Sequence, residues 1–472
     1  MNDNTLVKRF VYIAFVFGML FIALIPPFQS PDEDSHFKKA YVLAEGNLFP
    51  EVKNGKVGYM LPKQMIDFIA EQNEKGGNLE EKFEYEDIYL RERLPSNYSE
   101  EKFDAFSTAN ATPIAHIVPA TGILCGKIFA RILAISNPSE VYLLYFARVF
   151  NLMFYVGVVS ISIYITPVMK RVFALVGLMP MTLFQAATAS YDVLLIGCAF
   201  LATAIICNIA YAGENDRFKV LYQVLLGIIA YLFIAIKIVY LPIYLLLIIL
   251  PLKDLTKIKQ HVKKLAVVAG ITIGIYVLFE LFTPNIAELV KEENGGLVSE
   301  QIAFVMKNPI EYMKIFCRTI INDRQFFVST TIGTFGLIDT NLYCVFLSVY
   351  MILMPIVGIC EVSLDKLRIR LIDRIAVIVS VCASIFGSFL AMYLYWTSVM
   401  EGYGVGASAI TGVQGRYFIP VIPAIFLCFA NCQIEDHQKL GKGMSIIAAY
   451  SDVLSTSMLA VSGLSMLLRF WC

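Results

Sequence analysis

Long apolar runs alternate with short polar segments along most of the 472-residue chain. An α-helix needs about 20 apolar residues to cross the hydrocarbon core of a bilayer, and many of the runs approach that length. We therefore predict an all-α polytopic membrane protein that forms one integral-membrane domain over residues 1–472. The eleven predicted transmembrane helices are 10–27, 141–166, 172–189, 193–212, 219–236, 238–252, 264–282, 341–360, 374–396, 416–432 and 443–467.

Two long polar stretches interrupt this pattern. Residues 28–112 form the first predicted loop and residues 283–340 the second. Within the second, apolar residues recur at helical spacing between Glu300 and Phe316, which predicts an amphipathic helix. The pattern is compatible both with a helix on the membrane surface and with a helix that caps the bundle.

The segment 113–133, PIAHIVPATGILCGKIFARIL, is nearly long enough to span the membrane. It also contains two prolines, a histidine and the cations Lys127 and Arg131. We predict an interfacial or re-entrant helix that packs on the other helices. A twelfth span is the alternative.

Basic residues near the ends of the predicted spans give the orientation, because short cytoplasmic loops are enriched in Lys and Arg. With the N-terminus in the cytoplasm, both long loops and the C-terminus lie outside. A spanning helix at 113–133 would put the later basic loops on the outer side, against this rule. The basic residues are Lys8, Arg9, Lys170, Arg171, Arg217, Lys219, the run from Lys253 to Lys264, Lys366, Arg368, Arg370, Arg374, Lys439 and Lys442.

The composition agrees with a membrane protein. Hydrophobic residues make up 58% of the chain and charged residues only 16%, whereas soluble domains average about 25% charged residues. The formal net charge is zero, so no nucleic-acid partner is expected. The cysteines fall mostly within apolar runs, and their spacing indicates neither a disulfide framework nor a zinc site.

The stretch SPDEDSH, residues 30–36, follows the first predicted span. Ser30, Pro31 and Glu33 are typical of a helix start, with Glu33 completing a capping box. The predicted helix covers 32–45. His36 heads a stripe that is expected to be buried, formed with Ala40, Leu43 and Ala44. The pattern alone leaves open whether the acids only cap a helix or form part of a site.

Four other ionisable residues lie at span ends that the predicted topology places on the outer side: Asp192, Lys237, Asp339 and Arg416. Each alone is compatible with an interfacial anchor. Ionisable residues within membrane segments are, however, candidates for function. Together with Asp32 and Glu33, these residues predict a mixed acid–base site at the outer face.

Such a site suits a particular chemistry. Arg and Lys bind a lipid phosphate, and a carboxylate can act as general base for a sugar hydroxyl. No Walker or Rossmann glycine pattern is present, which favours a lipid-phosphate donor over a nucleotide. No cofactor is expected, although Asp32, Glu33 and Asp192 could together bind Mg²⁺ or Mn²⁺.

Several motifs resemble those of an uncharacterised bacterial integral-membrane family related to GT-C-type glycosyltransferases. The most specific are P-D-E-x-x-H from Pro31 and G-x-Q-G-R-Y-F-x-P from Gly412. Between them lie ATPIAHIVPATG, ARVFN, MPMTLFQAATASYD, KIVYLP and GTFGLIDT. The resemblance covers about the whole chain.

The resemblance implies a GT-C-like fold with a long first outer loop, interfacial helices, and an inverting transfer from a polyprenyl-phosphate sugar. By analogy, Asp32 or Glu33 would be the catalytic base, while Lys237 and Arg416 would bind phosphate. The substrate-binding residues implied are His36, Asp192, Lys237, Asp339, Gln414, Arg416 and Tyr417.

The leading hypothesis is therefore a glycosyltransferase of the bacterial cytoplasmic membrane, with its active site facing outside. It would transfer a sugar from a polyprenyl phosphate to a cell-surface glycan, with the loop 283–340 helping to form the acceptor groove. The alternatives are a transporter or flippase of lipid-linked sugars and an accessory subunit of polysaccharide assembly. Clustering of the charges at one face, without an internal repeat, argues against a transporter.

Overall fold

A computed structural model of the chain describes residues 3–86, 88, 100–212, 219–252, 258–282, 295–364, 369–429, 446–447 and 450–472. Its α-helices are α1 Asp3–Leu24, α2 Glu33–Ala44, α3 Lys63–Glu74, α4 Ile117–Ile132, α5 Glu140–Ile165, α6 Lys170–Gly177, α7 Pro180–Ala186, α8 Asp192–Tyr211, α9 Val220–Ile236, α10 Tyr244–Ile249, α11 Ile258–Phe282, α12 Gly295–Lys307, α13 Pro309–Asn322, α14 Arg324–Ile332, α15 Cys344–Leu364, α16 Leu371–Met392, α17 Ile422–Ile425 and α18 Ser451–Phe470. Short 3₁₀ segments cover Pro113–His116, Ile238–Ile243, Gly415–Val421 and Phe426–Phe429, and a π-turn covers Tyr393–Thr397.

Five short strands complete the described secondary structure: β1 Glu51–Lys53, β2 Lys56–Pro62, β3 Glu101–Ala105, β4 Thr334–Phe335 and β5 Thr340–Asn341. The first three form an antiparallel sheet in the order β1-β2-β3, with Gly58 opposite Ala105. The last two form a small hairpin.

Eight of the described helices are long and apolar enough to cross a membrane, which is consistent with an all-α polytopic membrane protein. They are Asn4–Leu24, Pro113–Ile132, Glu140–Ile165, Asp192–Tyr211, Ile258–Leu281, Cys344–Glu361, Leu371–Thr397 and Ser451–Phe470. Three further apolar helices are shorter: Val220–Ile236, Ile238–Ile249 and Gly415–Phe429.

The run at 172–189 was predicted as one helix, and this prediction is wrong. The run divides into α6 and α7, with α7 beginning at Pro180. Proline has no N–H to continue the helical hydrogen bonds and clashes with the preceding turn. The apolar run therefore shows the length of the segment but not its break.

The two ends of the bundle can be told apart from pairs of contacts between α1 and α18. Arg9 pairs with Asp452 at 2.7 Å where both helices begin. Where they end, the indole N–H of Trp471 donates to the carbonyl of Leu24 at 2.8 Å. The two helices are therefore parallel, as the predicted topology requires of its first and last spans.

A second hydrophobic core joins α2 to the sheet at the end of the bundle where α1 ends. Phe28, Phe37 and Tyr59 are among its buried residues. The buried ammonium group of Lys39 donates to the Tyr59 hydroxyl at 2.6 Å and to the Ala109 carbonyl at 2.9 Å. The first predicted loop is thus a folded cap whose helix α2 is fixed in position.

Helix α4 packs closely on the first part of α5. A Cβ atom at Gly122 would lie 2.6 Å from the Phe146 carbonyl oxygen, so the two backbones touch there. Arg148 of α5 contacts the carbonyl of Ile25, directly after α1. Residues 140–147 therefore project beyond the end of α1, and α4 lies beside them. This is the placement expected of the predicted interfacial helix, and the number of spans stays a prediction.

Several residues used for the orientation lie outside the described residues: the run 253–257, Arg217, Lys366, Arg368, Lys439 and Lys442. Lys170 is described and lies at the start of α6. Its side of the membrane distinguishes eleven spans from twelve.

We expect Lys170→Cys to be protected from a membrane-impermeant maleimide in intact cells and labelled after permeabilisation, because short basic loops are enriched on the cytoplasmic side. Lys56→Cys, at an exposed position of β2, is the matched control and should be labelled in intact cells. Labelling of both variants in intact cells would mean that 113–133 spans the membrane.

Candidate functional site

Side chains from five segments meet at the end of the bundle beneath the folded cap. Asp32 comes from the start of α2 and Asp192 from the start of α8. Lys237 lies directly after α9, and Arg416 lies in the 3₁₀ turn Gly415–Val421. His116, from the 3₁₀ turn before α4, completes the set. The structure thus brings together most of the residues predicted from the sequence.

Asp32 is the acid of this cluster that faces open space. Its side chain is 56% exposed, and one carboxylate oxygen lies 3.1 Å from a guanidinium nitrogen of Arg416, whose side chain is 3% exposed. The Nε–H of Arg416 is buried and has no hydrogen-bond partner within the described residues. A buried cation beside an accessible carboxylate leaves unused hydrogen-bonding capacity for a ligand.

The backbone of Asp32 is strained. Its φ of 63° and ψ of 2° lie in the left-handed region, where Asp and Asn are the non-glycine residues tolerated best. Strained backbone of this kind tends to occur at functional sites. Asp32 precedes α2 without making a side-chain cap, so its carboxylate is free to turn toward Arg416.

The predicted capping box is not present. The helix begins at Glu33 rather than after Ser30, its N-cap residue is Asp32, and no side chain caps it. Arg148 binds it through two hydrogen bonds of 2.8 and 2.6 Å. The Ala189 N–H donates to it at 2.9 Å.

Glu33 and Arg148 are both completely buried. Arg148 also donates to the carbonyls of Ile25 at 2.7 Å and Pro26 at 2.9 Å. Both oxygens of the Glu33 carboxylate are occupied by hydrogen bonds, whereas the Asp32 carboxylate is accessible. Which of the two acids is the base stays a prediction, and this difference favours Asp32.

Asp192 and Lys237 form the second ion pair of the site, with an N–O distance of 2.8 Å and side chains that are 13% and 21% exposed. The ammonium group of Lys237 also lies 4.2 Å from the centre of the Tyr417 ring. A cation over an aromatic face is stabilised by the ring quadrupole. Tyr417 and Asp192 thus hold this cation in a partly open position.

His36 and His116 join α2 to the segment that leads into α4. Nδ1 of His36 and Nε2 of His116 are 2.9 Å apart, and the Tyr191 ring packs edge-on against both rings. Burial lowers the pKa of His36 to about 4, although the nearby carboxylates of Asp192 and Asp32 oppose this shift. With this lowered pKa, His36 is neutral at pH 7, and one of the two facing ring nitrogens donates a hydrogen bond to the other.

Asp339 and Gln414, also predicted as site residues, make no ion pair with the cluster around Asp32 and Arg416 among the described residues. The Asp339 carboxylate accepts a hydrogen bond of 2.7 Å from Arg469, and Arg469 also donates to the carbonyls of Glu81 and Asn78. Arg469 of α18 therefore connects both long loops, and Asp339 is its partner in the second. Gln414 is half-buried and lies directly before the 3₁₀ turn that carries Arg416.

The acids do not converge on one point as a metal site would require. Glu33 is bound by Arg148, and Asp192 is paired with Lys237. Across the part of the chain that the structure describes, no group of three or more His, Cys, Asp or Glu residues could hold a metal ion. The predicted alternative of Mg²⁺ or Mn²⁺ bound by Asp32, Glu33 and Asp192 does not fit these residues.

Sequence reasoning did not assign a role to Arg148, His116 or Tyr191. Each lies in an otherwise apolar or weakly polar context, ARVFN, PIAHIV and ASYD respectively. An arginine inside an apolar run is the one signal that could have identified Arg148, because a buried cation needs a buried partner.

An apolar cavity of about 470 Å³ is lined by the end of α2, by α4 and by α11. Leu43 of α2, Ile117 and Leu124 of α4, and Phe279 of α11 are among its lining residues. Its lining residues Ile114 and Ile117 flank His116 along the chain. Its lining suits a hydrocarbon chain.

A family described as "Predicted membrane protein (DUF2142)" matches residues 15–425. The chain belongs to this family. Neither a curated protein nor a solved structure matches the chain. The resemblance to an uncharacterised membrane family is confirmed, and the matched range includes Asp32, Asp192, Lys237 and Arg416.

We expect Arg148→Met to lower the free energy of unfolding by about 3–5 kcal/mol, because it leaves the Glu33 carboxylate buried without a cation. Arg9→Met is the matched control. It removes an arginine from a pair in which Arg9 is 50% exposed, and such pairs contribute below about 1 kcal/mol. Thermal unfolding in detergent measures both, and equal midpoints would contradict a structural role for the buried pair.

Proposed function

We propose that this family member is a membrane glycosyltransferase that uses a polyprenyl-phosphate sugar and Asp32 as general base. The observation that carries the proposal is the accessible Asp32 carboxylate 3.1 Å from the buried guanidinium group of Arg416. This pairing provides a proton acceptor and a phosphate-binding cation within one small site.

In the proposed reaction, the acceptor hydroxyl attacks the anomeric carbon of the donor sugar. The oxygen–carbon bond to the acceptor forms while the bond to the lipid phosphate breaks, so the phosphate leaves with the electron pair. Asp32 takes the hydroxyl proton. A single displacement of this kind inverts the anomeric centre.

The cations have the complementary role. The leaving phosphate gains negative charge as the bond breaks, and cations held in a water-poor site stabilise that charge. Arg416 has an unpaired, buried Nε–H, and Lys237 is partly exposed. These are the groups that we propose bind the phosphate.

The apolar cavity beside His116 supports a lipid-linked donor. Its lining of Leu43, Ile117, Leu124 and Phe279 would shield an isoprenoid chain while the phosphate lies near Arg416. The predicted topology puts this site at the outer surface of the bacterial cytoplasmic membrane, where the acceptor is a cell-surface glycan.

We expect Asp32→Asn to abolish transfer, with a loss of at least about a hundredfold, because the amide cannot accept the proton. Asparagine tolerates the left-handed backbone at this position, so the variant should fold. The assay gives purified protein a polyprenyl-phosphate sugar and a lipid-linked acceptor.

Asp34→Asn is the matched control for this loss. Asp34 is two residues away, is half-buried, and its carboxylate accepts a hydrogen bond from Asn73. It should retain activity close to that of the wild type. Turnover by Asp32→Asn at the wild-type rate would overturn the assignment of the base, and lipid flipping without transfer by the wild type would instead indicate a transporter.

Arg416→Lys should weaken the binding of polyprenyl phosphate, measured without a sugar or an acceptor, by about tenfold or more. Lysine keeps the charge but loses the forked hydrogen bonds that a phosphate receives from arginine. Arg469→Lys is the control, because Arg469 is similarly buried and pairs with Asp339. If both variants bind the lipid equally well, Arg416 does not bind the phosphate.

A further inference from the structure

Helix α13 belongs to the second long loop and is broken from α12 at Asn308, before Pro309. The predicted single amphipathic helix over Glu300–Phe316 is therefore two helices. With 14 residues, α13 is about 21 Å long. That length is too short to span a bilayer core of about 30 Å.

One face of α13 packs against protein. Tyr312, Ile315 and Thr319 are nearly fully buried. The Tyr312 ring lies 5.3 Å from the Tyr393 ring, and the Phe316 ring lies 5.2 Å from the Phe389 ring. These contacts place α13 beside the last turns of α16, a helix long and apolar enough to cross the membrane.

The apolar surface of α13 is wider than the face that the protein covers. At 100° per residue, Ile310, Met313, Cys317 and Ile321 form a stripe almost opposite the buried face, and Phe316 and Ile320 lie between the two. Ile310 is 74% exposed, Met313 is 44% and Ile321 is 60%, and Cys317 is also exposed. Contact with hydrocarbon would remove this apolar surface from water, which is energetically favourable.

Charged residues border the stripe on its other side. Glu311, Lys314 and Arg318 are exposed on this third face. Long cationic side chains can lie along an apolar surface while their charged ends reach lipid phosphates. Helix α13 thus has a face packed on protein, an exposed apolar face and a charged face. This is the arrangement of a helix lying in a membrane interface.

The end of α16 marks where that interface is. Tyr395 and Trp396, directly after α16, are 63% and 47% exposed, and exposed Trp and Tyr residues are enriched at the membrane–water boundary. On α12, Ile302 and Met306 are apolar and exposed as well, at 40% and 78%. The exposed aromatic residues thus indicate that the uncovered surface lies near the level of the membrane boundary.

We propose that α13, with the end of α12, is embedded in the phospholipid leaflet on the candidate site's side of the membrane. Its stripe contacts acyl chains, and Lys314 and Arg318 face the lipid phosphates. The following helix, α14, contacts the 3₁₀ turn of Arg416, because the Thr330 hydroxyl accepts the Gly415 N–H at 2.8 Å. This placement is independent of the transfer chemistry proposed above.

The test uses the full-length protein in vesicles of phosphatidylethanolamine and phosphatidylglycerol. N-ethylmaleimide crosses the bilayer and labels thiols on either side, and the labelled peptides are quantified by mass spectrometry. Cys317, on the stripe, should react about tenfold more slowly than the cysteine of Glu311→Cys, on the polar face, because the reactive thiolate is disfavoured in apolar surroundings. Equal rates would overturn the proposal.

A second measurement identifies what covers the stripe. A phospholipid with a photoactivatable acyl chain is included in the same vesicles, and crosslinked peptides are mapped. Lipid attached to residues 310–321 supports the proposal. Slow labelling of Cys317 without lipid attachment would overturn it, since a second copy or another protein would then cover this face.

Discussion

The buried ion pair between Glu33 and Arg148 holds together the three segments on which the candidate site depends. Arg148 binds the carbonyls that follow α1, and the same guanidinium binds the residue that begins α2. Through the Ala189 N–H, Glu33 also fixes the loop that leads to Asp192. The Glu33–Arg148 pair thereby fixes the positions of the Asp32 and Asp192 carboxylates relative to each other. Arg148 also accounts for backbone carbonyls at the end of α1.

Adjacent acids in SPDEDSH consequently have different environments. Glu33 is completely buried and neutralised by Arg148, whereas Asp32 is more than half exposed beside Arg416. The left-handed backbone of Asp32 turns the chain so that the first acid points away from the second. A motif that resembles a helix cap thus contains one acid paired in the protein interior and one that stays accessible beside a cation.

Much of the architecture was predictable, because apolar length is a strong signal for membrane helices. The helix over 32–45 and the burial of His36 also followed from the local pattern, and the structure confirms both. The partners of Glu33 and Asp339 did not follow, because Arg148 and Arg469 are 115 and 130 residues away along the chain. Local periodicity carries no information on such pairings, nor on the break before Pro180.

The candidate site lies where helices are interrupted, and this has a physical reason. Lys237 has φ of −146° and ψ of 90°, so the chain leaves α9 there, and Arg416 lies in a 3₁₀ turn before Pro420. Within a continuous α-helix the backbone groups bond to each other, and side chains diverge around the axis. Non-helical backbone at membrane depth is tolerated only where protein or a polar cavity provides hydrogen-bond partners for its N–H and C=O groups. Both cations of the candidate site accordingly lie at the short apolar helices. Lys237 lies between Val220–Ile236 and Ile238–Ile249, and Arg416 lies in Gly415–Phe429.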